Sequence, residues 1–431
     1  MRLGRRGSRA RPARLTPTRW DVAEQISTLP DARTPSSDTI RYVGLGLVVT
    51  AWTVLWAWLQ WSPSGISWHF FADSGHALIH TSGLHIYAQN RNFQFGPVTF
   101  VASAMLTILP AHTARVVAQV LMMIVGPLLV LWLAPLVPLK GRTLRVFLAA
   151  LVVIPGWAVL SVRWGHLDDV LAMLFTVAAI RAVAARKPIW AGLAIAAAVA
   201  SKPWAIGFVP LLLVLERRRI AAFGTAALAV LAVYAPFFIA DTQTIRAFRP
   251  IIKVSPDAGL HALGYRGVYV PSWGRTAQLV AAPLIALVAV LKSRWPGLFI
   301  AAFAVRLVLD PQDLPYYVGA AAVAAVIFDL LATRWAFPWL TLVTVLVLWQ
   351  PFVANFAIVL QTAHGWSLWW YAHPTTVSFI HVGWAVATVV FVLFAPGRWL
   401  GTPNRALPQF RWPTSRDATS SEPVQVRTET M

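Results

Sequence analysis

Apolar blocks separated by short polar breaks fill the chain from about residue 42 to 395. They cover 42–61, 96–110, 114–138, 146–163, 168–185, 189–201, 203–215, 220–240, 275–291, 296–309, 315–332, 336–355 and 375–395. Most are near the ~20 residues a helix needs to cross a bilayer. In lipid each such block must close its own backbone hydrogen bonds, which predicts helices rather than a β-barrel. The first block is preceded by a long basic tail and followed by a polar stretch, 62–95, rich in histidine and aromatics. That context predicts a retained membrane helix, not a cleaved signal peptide.

The breaks carrying positive charge orient the pattern. Lys140 with Arg142, Arg186-Lys187, Arg217 to Arg219, Lys292 with Arg294, and Arg334 belong on the cytoplasmic side. They all reach that side if 96–110, a short block opening at Gly96-Pro97 and closing at Leu109-Pro110, lies in the interface or re-enters instead of crossing. The expected architecture is therefore an all-α integral membrane protein. It has about 12 transmembrane helices, an interfacial helix in the first extracytoplasmic loop (62–110), and both termini in the cytoplasm. Residues 1–39 and 396–431 read as disordered basic tails, flanking a membrane domain over 40–395.

Composition agrees and narrows the partners. Of 431 residues 58% are hydrophobic and 12% charged, about half the charge of an ordinary soluble domain. The net charge of +20 resides largely in the arginine-rich first tail and the short connections. This is the signature of a cytoplasmic membrane surface, so membrane lipid is the expected partner and nucleic acid is not. There is no cysteine, which excludes disulfides and thiolate metal sites.

The polar residues inside this apolar body gather at the extracytoplasmic end of the predicted helices, where charge is costly and tends to mark function. Asp73, His76 and His80 share one face of any helix there. They read either as a proton-abstracting group or as an interfacial cap with headgroup histidines. His166, Asp168 and Asp169 open the helix at 168–185. They either cap it or, with a further ligand, hold a divalent metal ion. Lys202 stands between two short blocks meeting at Lys202-Pro203, and either snorkels to headgroups or meets a phosphate. Arg306 lies four residues before Asp310, a spacing that pairs them; the same arginine suits a phosphate. Tyr316 follows at the same junction, and the loop 241–274 is basic where an outer loop usually is not.

Taken in order, several motifs resemble one family. A first helix is followed by an early Asp73, then Gly83-Leu-His-Ile-Tyr87, then the Phe95-Gly-Pro97 helix start. Trp164-Gly-His-Leu-Asp-Asp169 comes next, then Ala191-Gly192, Lys202-Pro203 and Arg217 to Arg219. Together these resemble the GT-C superfamily of membrane glycosyltransferases, and within it the polyprenyl-phosphate-mannose-dependent enzymes of glycosyltransferase family 87. The likeness covers roughly residues 42–220. Phe95-Gly96 replaces the more usual Tyr-Pro, and His166 stands where glutamine is common.

The resemblance implies a GT-C-like bundle in the plasma membrane. Asp73 would be its catalytic base, and Tyr87, His76, His80, His166, Asp168, Asp169, Lys202, Arg306, Asp310 and Tyr316 would contact substrate. It also implies a polyprenyl-phosphate sugar donor, a glycolipid or glycan acceptor, and transfer on the extracytoplasmic face. A transporter or lipid flippase is the competing class. It would carry paired broken helices in matching halves, and only one such pair, at Lys202-Pro203, is visible.

Overall fold

The computed structural model describes residues 37–90, 93–138, 140–248, 251–349, 369 and 372–400. Among them no strand forms, and the only β contacts are the isolated bridges Lys253–Tyr269 and Thr333–Leu400. The helices are α1 (Ser37–Leu59), α2 (Trp68–His76), α3 (Pro97–Leu106), α4 (Ala111–Leu133), α5 (Arg142–Ala158) and α6 (Leu167–Ala184). They continue with α7 (Pro188–Ser201), α8 (Arg219–Ala240), α9 (Gly274–Leu291), α10 (Leu298–Val308), α11 (Tyr317–Ala332), α12 (Trp339–Leu348) and α13 (Pro374–Phe394). By internal contacts the chain divides into residues 1–48, where only the start of α1 is described, and residues 49–431, which hold everything discussed below.

Among the described residues, five helices are long and apolar enough to cross a membrane: Ala111–Leu136, Arg142–Arg163, Arg219–Ala240, Gly274–Leu291 and Pro374–Phe394. Seven shorter apolar helices accompany them, Val43–Leu59 and Pro97–Leu106 included. The described residues thus form an all-helical body with the makeup of a membrane protein. The predicted block 336–355 is described only as α12, and its remainder from 350 lies outside the described residues.

Small residues set the tightest packing. A Cβ on Gly192 of α7 would stand 2.4 Å from the Ala222 carbonyl oxygen of α8, so glycine is what lets these helices touch backbone to backbone. Between α2 and α3, Gly75 serves the same purpose, its absent Cβ leaving room for the Ser103–Ala104 peptide at 2.7 Å. At the far end of α11, the buried Arg145 guanidinium donates to the carbonyls of Asp329 (2.7 Å), Leu330 (3.1 Å) and Thr333 (2.9 Å). It thereby satisfies the carbonyls a helix C-terminus leaves open. Residues 396–400, which the sequence assigns to the tail, fold back here: the Arg334 amide donates to the Trp399 carbonyl at 3.1 Å.

The predicted bent pair at Lys202 takes an unexpected form. α7 ends at Ser201, Lys202 is extended (φ −141°, ψ 114°), and Pro203–Val214 is wound as a 3₁₀ helix. Such runs seldom exceed four residues. Pro210, inside this one, removes an amide donor that an α-helical ladder would use.

Candidate active site

At the α5–α6 reversal the chain turns through Gly165 (φ +65°), a left-handed conformation suited to glycine. The turn sets His166 immediately before α6 and Asp168 and Asp169 in its first turn. Asp168 accepts from the Asp169 amide at 2.8 Å, as an acid in a helix's first turn can. Both carboxylates are fully buried, so capping alone leaves their charge unbalanced. Lys202 balances it: the extended backbone at the end of α7 directs its ammonium onto Asp168, with Asp169 3.6 Å away. His166 Nδ1 lies 2.8 Å from Asp168 and 3.0 Å from Asp169. Trp204 Nε1 donates to Asp169 at 3.0 Å. Burial pushes the His166 imidazole down, but Asp168 and Asp169 beside it together outweigh that, and its pKa ends above the usual 6.5.

His166, Asp168 and Asp169 bring one donor atom each within 4.8 Å of one another, the spread of a cation site. The Lys202 ammonium already holds that place, and His166 spends Nδ1 on the carboxylates. The arrangement therefore fits a lysine-neutralised acid pair and not a divalent metal.

Facing this cluster is a second one. Arg306, near the end of α10, pairs with Asp310 at 2.9 Å, and Tyr317 donates to the same carboxylate at 3.5 Å. The guanidinium lies over the rings of Tyr317 (4.4 Å), Trp204 (5.3 Å) and Phe303 (5.5 Å). It is 3% exposed, yet its Nε and Nη1 have no hydrogen-bond partner. A buried guanidinium with unused donors is costly and suits an incoming anion.

Both clusters line one cavity of about 470 Å³. Its walls are aromatic and apolar, with Phe70, Phe71, Tyr87, Phe95 and Trp164 among them, and Tyr316 stacks on the His166 ring at 3.5 Å. Tyr87 is fixed by donating to the Phe95 carbonyl at 2.8 Å. Of the residues singled out in the sequence, the cavity gathers Tyr87, His166, Asp168, Lys202, Arg306, Asp310 and Tyr316, with Asp169 bound just behind them.

Asp73, His76 and His80 are not among its lining. All three are exposed, and the His76 and His80 rings lie 4.6 Å apart. Asp73 sits on α2, which presents Phe70 and Phe71 to the cavity, with Ser67 just before the helix. At about 100° per residue, Asp73 stands roughly 60° around the helix from Phe70 and roughly 160° from Phe71. Sequence reasoning missed Arg275, Gln94 and Gln278, which also line the cavity. Arg275 begins an apolar block and belongs to no motif; only its place at a helix start, beside a basic loop, sets it apart.

Fold and site together define a polytopic helical membrane protein with a buried, charge-lined, aromatic-walled cavity. Residues 93–257, somewhat more than a third of the chain, match the family model described as Glycosyltransferase family 87, which is consistent with a membrane glycosyltransferase. The match takes in His166, Asp168, Asp169 and Lys202 and leaves Asp73 and Arg306 outside. No curated protein matches the chain.

Proposed function

We propose that the protein transfers a hexose, mannose by family resemblance, from a polyprenyl-phosphate donor to a lipid-linked or cell-envelope glycan, with inversion, on the extracytoplasmic face. The observation that carries this reading is Arg306: a buried guanidinium in the cavity wall with two nitrogens, Nε and Nη1, without a hydrogen-bond partner beside an aromatic surface. A sugar phosphate supplies both complements, an anion for the guanidinium and a pyranose face for the rings.

In the proposed step the acceptor hydroxyl oxygen bonds to the anomeric carbon as the bond from that carbon to the phosphate oxygen breaks. The phosphate leaves with the electron pair, and Arg306 stabilises its growing charge. The hydroxyl proton passes to a carboxylate. The acids at the cavity already accept bonds: Asp168 from His166 and Asp169 N–H, Asp169 from Trp204, Asp310 from Tyr317 and Arg306. Each is also paired with a cation, Lys202 for Asp168 and Asp169 and Arg306 for Asp310, so taking up the hydroxyl proton would cost an ion pair. Asp73 accepts no hydrogen bond from another described side chain, so it is the base we assign; the assignment requires α2 to turn it toward the cavity as the acceptor arrives.

The test uses membranes containing wild-type protein or Asp73→Ala at matched abundance, supplied with labelled polyprenyl-phosphate hexoses, mannose first. Transfer by wild type that is lost in Asp73→Ala supports both donor and base. Equal transfer by the two removes Asp73 as base and turns attention to Asp168, Asp169 and Asp310. Absence of transfer with every hexose donor overturns the donor assignment.

A further inference from the structure

We infer that Arg275, at the start of α9, is a second phosphate-gripping residue of the cavity, acting with Arg306 on the phosphate group of a lipid ligand. The inference rests on the proposed lipid-phosphate donor and assigns to it a residue outside every motif above.

Charge accounting points to Arg275. Among the described residues, the lysines and arginines that line the cavity are Lys202, Arg275 and Arg306. Lys202 is held by Asp168 and Asp169, and Arg306 shares its charge with Asp310. Arg275 is held by neutral groups alone: Nη1 donates to Gln278 Oε1 at 2.9 Å, and Nη2 donates to Gln94 Oε1. These amides fix the guanidinium without cancelling its charge. α9 begins at Gly274, so the partial positive charge of its N-terminus adds to that of Arg275.

The independent observation is Arg306, 3% exposed, with Nε and Nη1 unused in the same cavity wall. Gln278 couples the two arginines: while accepting from Arg275 it donates Nε2 to the Leu309 carbonyl at 2.7 Å, three residues beyond Arg306. One amide thus registers the first turn of α9 against the end of α10. Two guanidiniums offering free donors, with one local carboxylate between them, leave a positive charge for the ligand to neutralise. Lys202, already spent on two buried acids, then serves to balance the Asp168–Asp169 pair and not the phosphate.

The test measures binding of a short-chain prenyl phosphate, the matching prenol, and inorganic phosphate to full-length detergent-solubilised protein, by ligand-induced thermal stabilisation. Wild type, Arg275→Gln and Arg275→Lys are compared. The expected result is that wild type binds prenyl phosphate at least about 10-fold more tightly than prenol, a charge-assisted contact's worth. Arg275→Gln loses most of that preference and Arg275→Lys keeps part of it, while prenol binding stays equal in all three. A preference unchanged in Arg275→Gln overturns the role of Arg275 and leaves the donor reading intact. No preference in wild type overturns the donor reading, and this inference with it. Inorganic phosphate binding as tightly as prenyl phosphate overturns the lipid source. If Arg275→Gln unfolds without ligand, Arg275→Lys alone decides, because a lysine that binds prenyl phosphate as wild type does contradicts a bidentate grip.

Discussion

Gly96→Ala would put a methyl group where the structure has none to spare. Its Cβ would stand 2.0 Å from the Ala200 carbonyl oxygen and 2.4 Å from the carbonyl carbon, with Tyr234 Oη at 2.8 Å. Gly96 has φ −88°, which alanine adopts freely, so the cost comes from space and not from backbone strain. Ordinary contact begins near 3.4 Å, so the start of α3 and the end of α7 must part by more than an ångström. Parting them breaks two bonds to the Ser201 carbonyl, from the Gly96 amide (2.8 Å) and the Thr99 hydroxyl (3.0 Å). At about 1 kcal/mol per bond and about 1–3 kcal/mol for the overpacking, the loss is about 3–5 kcal/mol. Ser201 is also the residue before Lys202, so the same displacement pulls the ammonium from Asp168. The assay is the midpoint of thermal loss of the monodisperse species in detergent, with hexose transfer measured on the surviving fraction. Both are expected to fall. A Gly96→Ala protein with wild-type midpoint and wild-type transfer refutes this account of the junction.

Further outcomes are expected from the charged groups. Lys202→Met leaves two buried carboxylates short of a cation and should lower stability by about 3 kcal/mol; adding Asp168→Asn should restore the midpoint but not activity. Equal midpoints for Lys202→Met and wild type would contradict the neutralising role. His166 has a folded-state pKa raised above 6.5, so its stabilising contribution is full below that value and fades as pH rises through the raised pKa. His166→Gln should therefore flatten the loss of thermal midpoint above pH 6.5, and parallel pH profiles for the two proteins would count against this. Removing residues 1–36 and 401–431 together should leave transfer intact, whereas a cut at 395 should lower the midpoint by releasing the Trp399 and Leu400 contacts with α11's end. Wild-type stability after the cut at 395 would show those contacts to be dispensable.

Much of this was legible along the chain because a membrane body has few polar residues. Those that remain stand out against the apolar blocks, and Asp168, Asp169, Lys202, Arg306 and Asp310 were conspicuous for that reason. The Arg306–Asp310 contact followed from four-residue spacing on a helix. Long-range pairing was not legible: no local pattern says that Lys202 meets Asp168, 34 residues earlier, rather than the headgroups. The 3₁₀ winding of Pro203–Val214 is not legible along the chain, because an apolar run with two prolines fits a kinked α-helix equally well. Arg275 was invisible for a related reason. Its role depends on what is missing around it, an acid, and only the folded arrangement with Gln94 and Gln278 reveals that. The helical face that carries Asp73 could be read from spacing, but not which way α2 would turn that face.

The central claim, hexose transfer from a lipid phosphate held in the cavity by Arg306, is tested most directly by reconstituting purified wild type and Arg306→Lys in lipid nanodiscs. Each receives polyprenyl-phosphate [¹⁴C]mannose and a glycolipid extract as acceptor. The expected result is labelled product from wild type, with transfer in Arg306→Lys lowered at least about 10-fold, because lysine cannot reproduce the forked donors that guanidinium offers a phosphate. Equal transfer by the two proteins would contradict the role of Arg306, and absence of labelled product from wild type with mannose and every other hexose donor would contradict the proposed reaction itself.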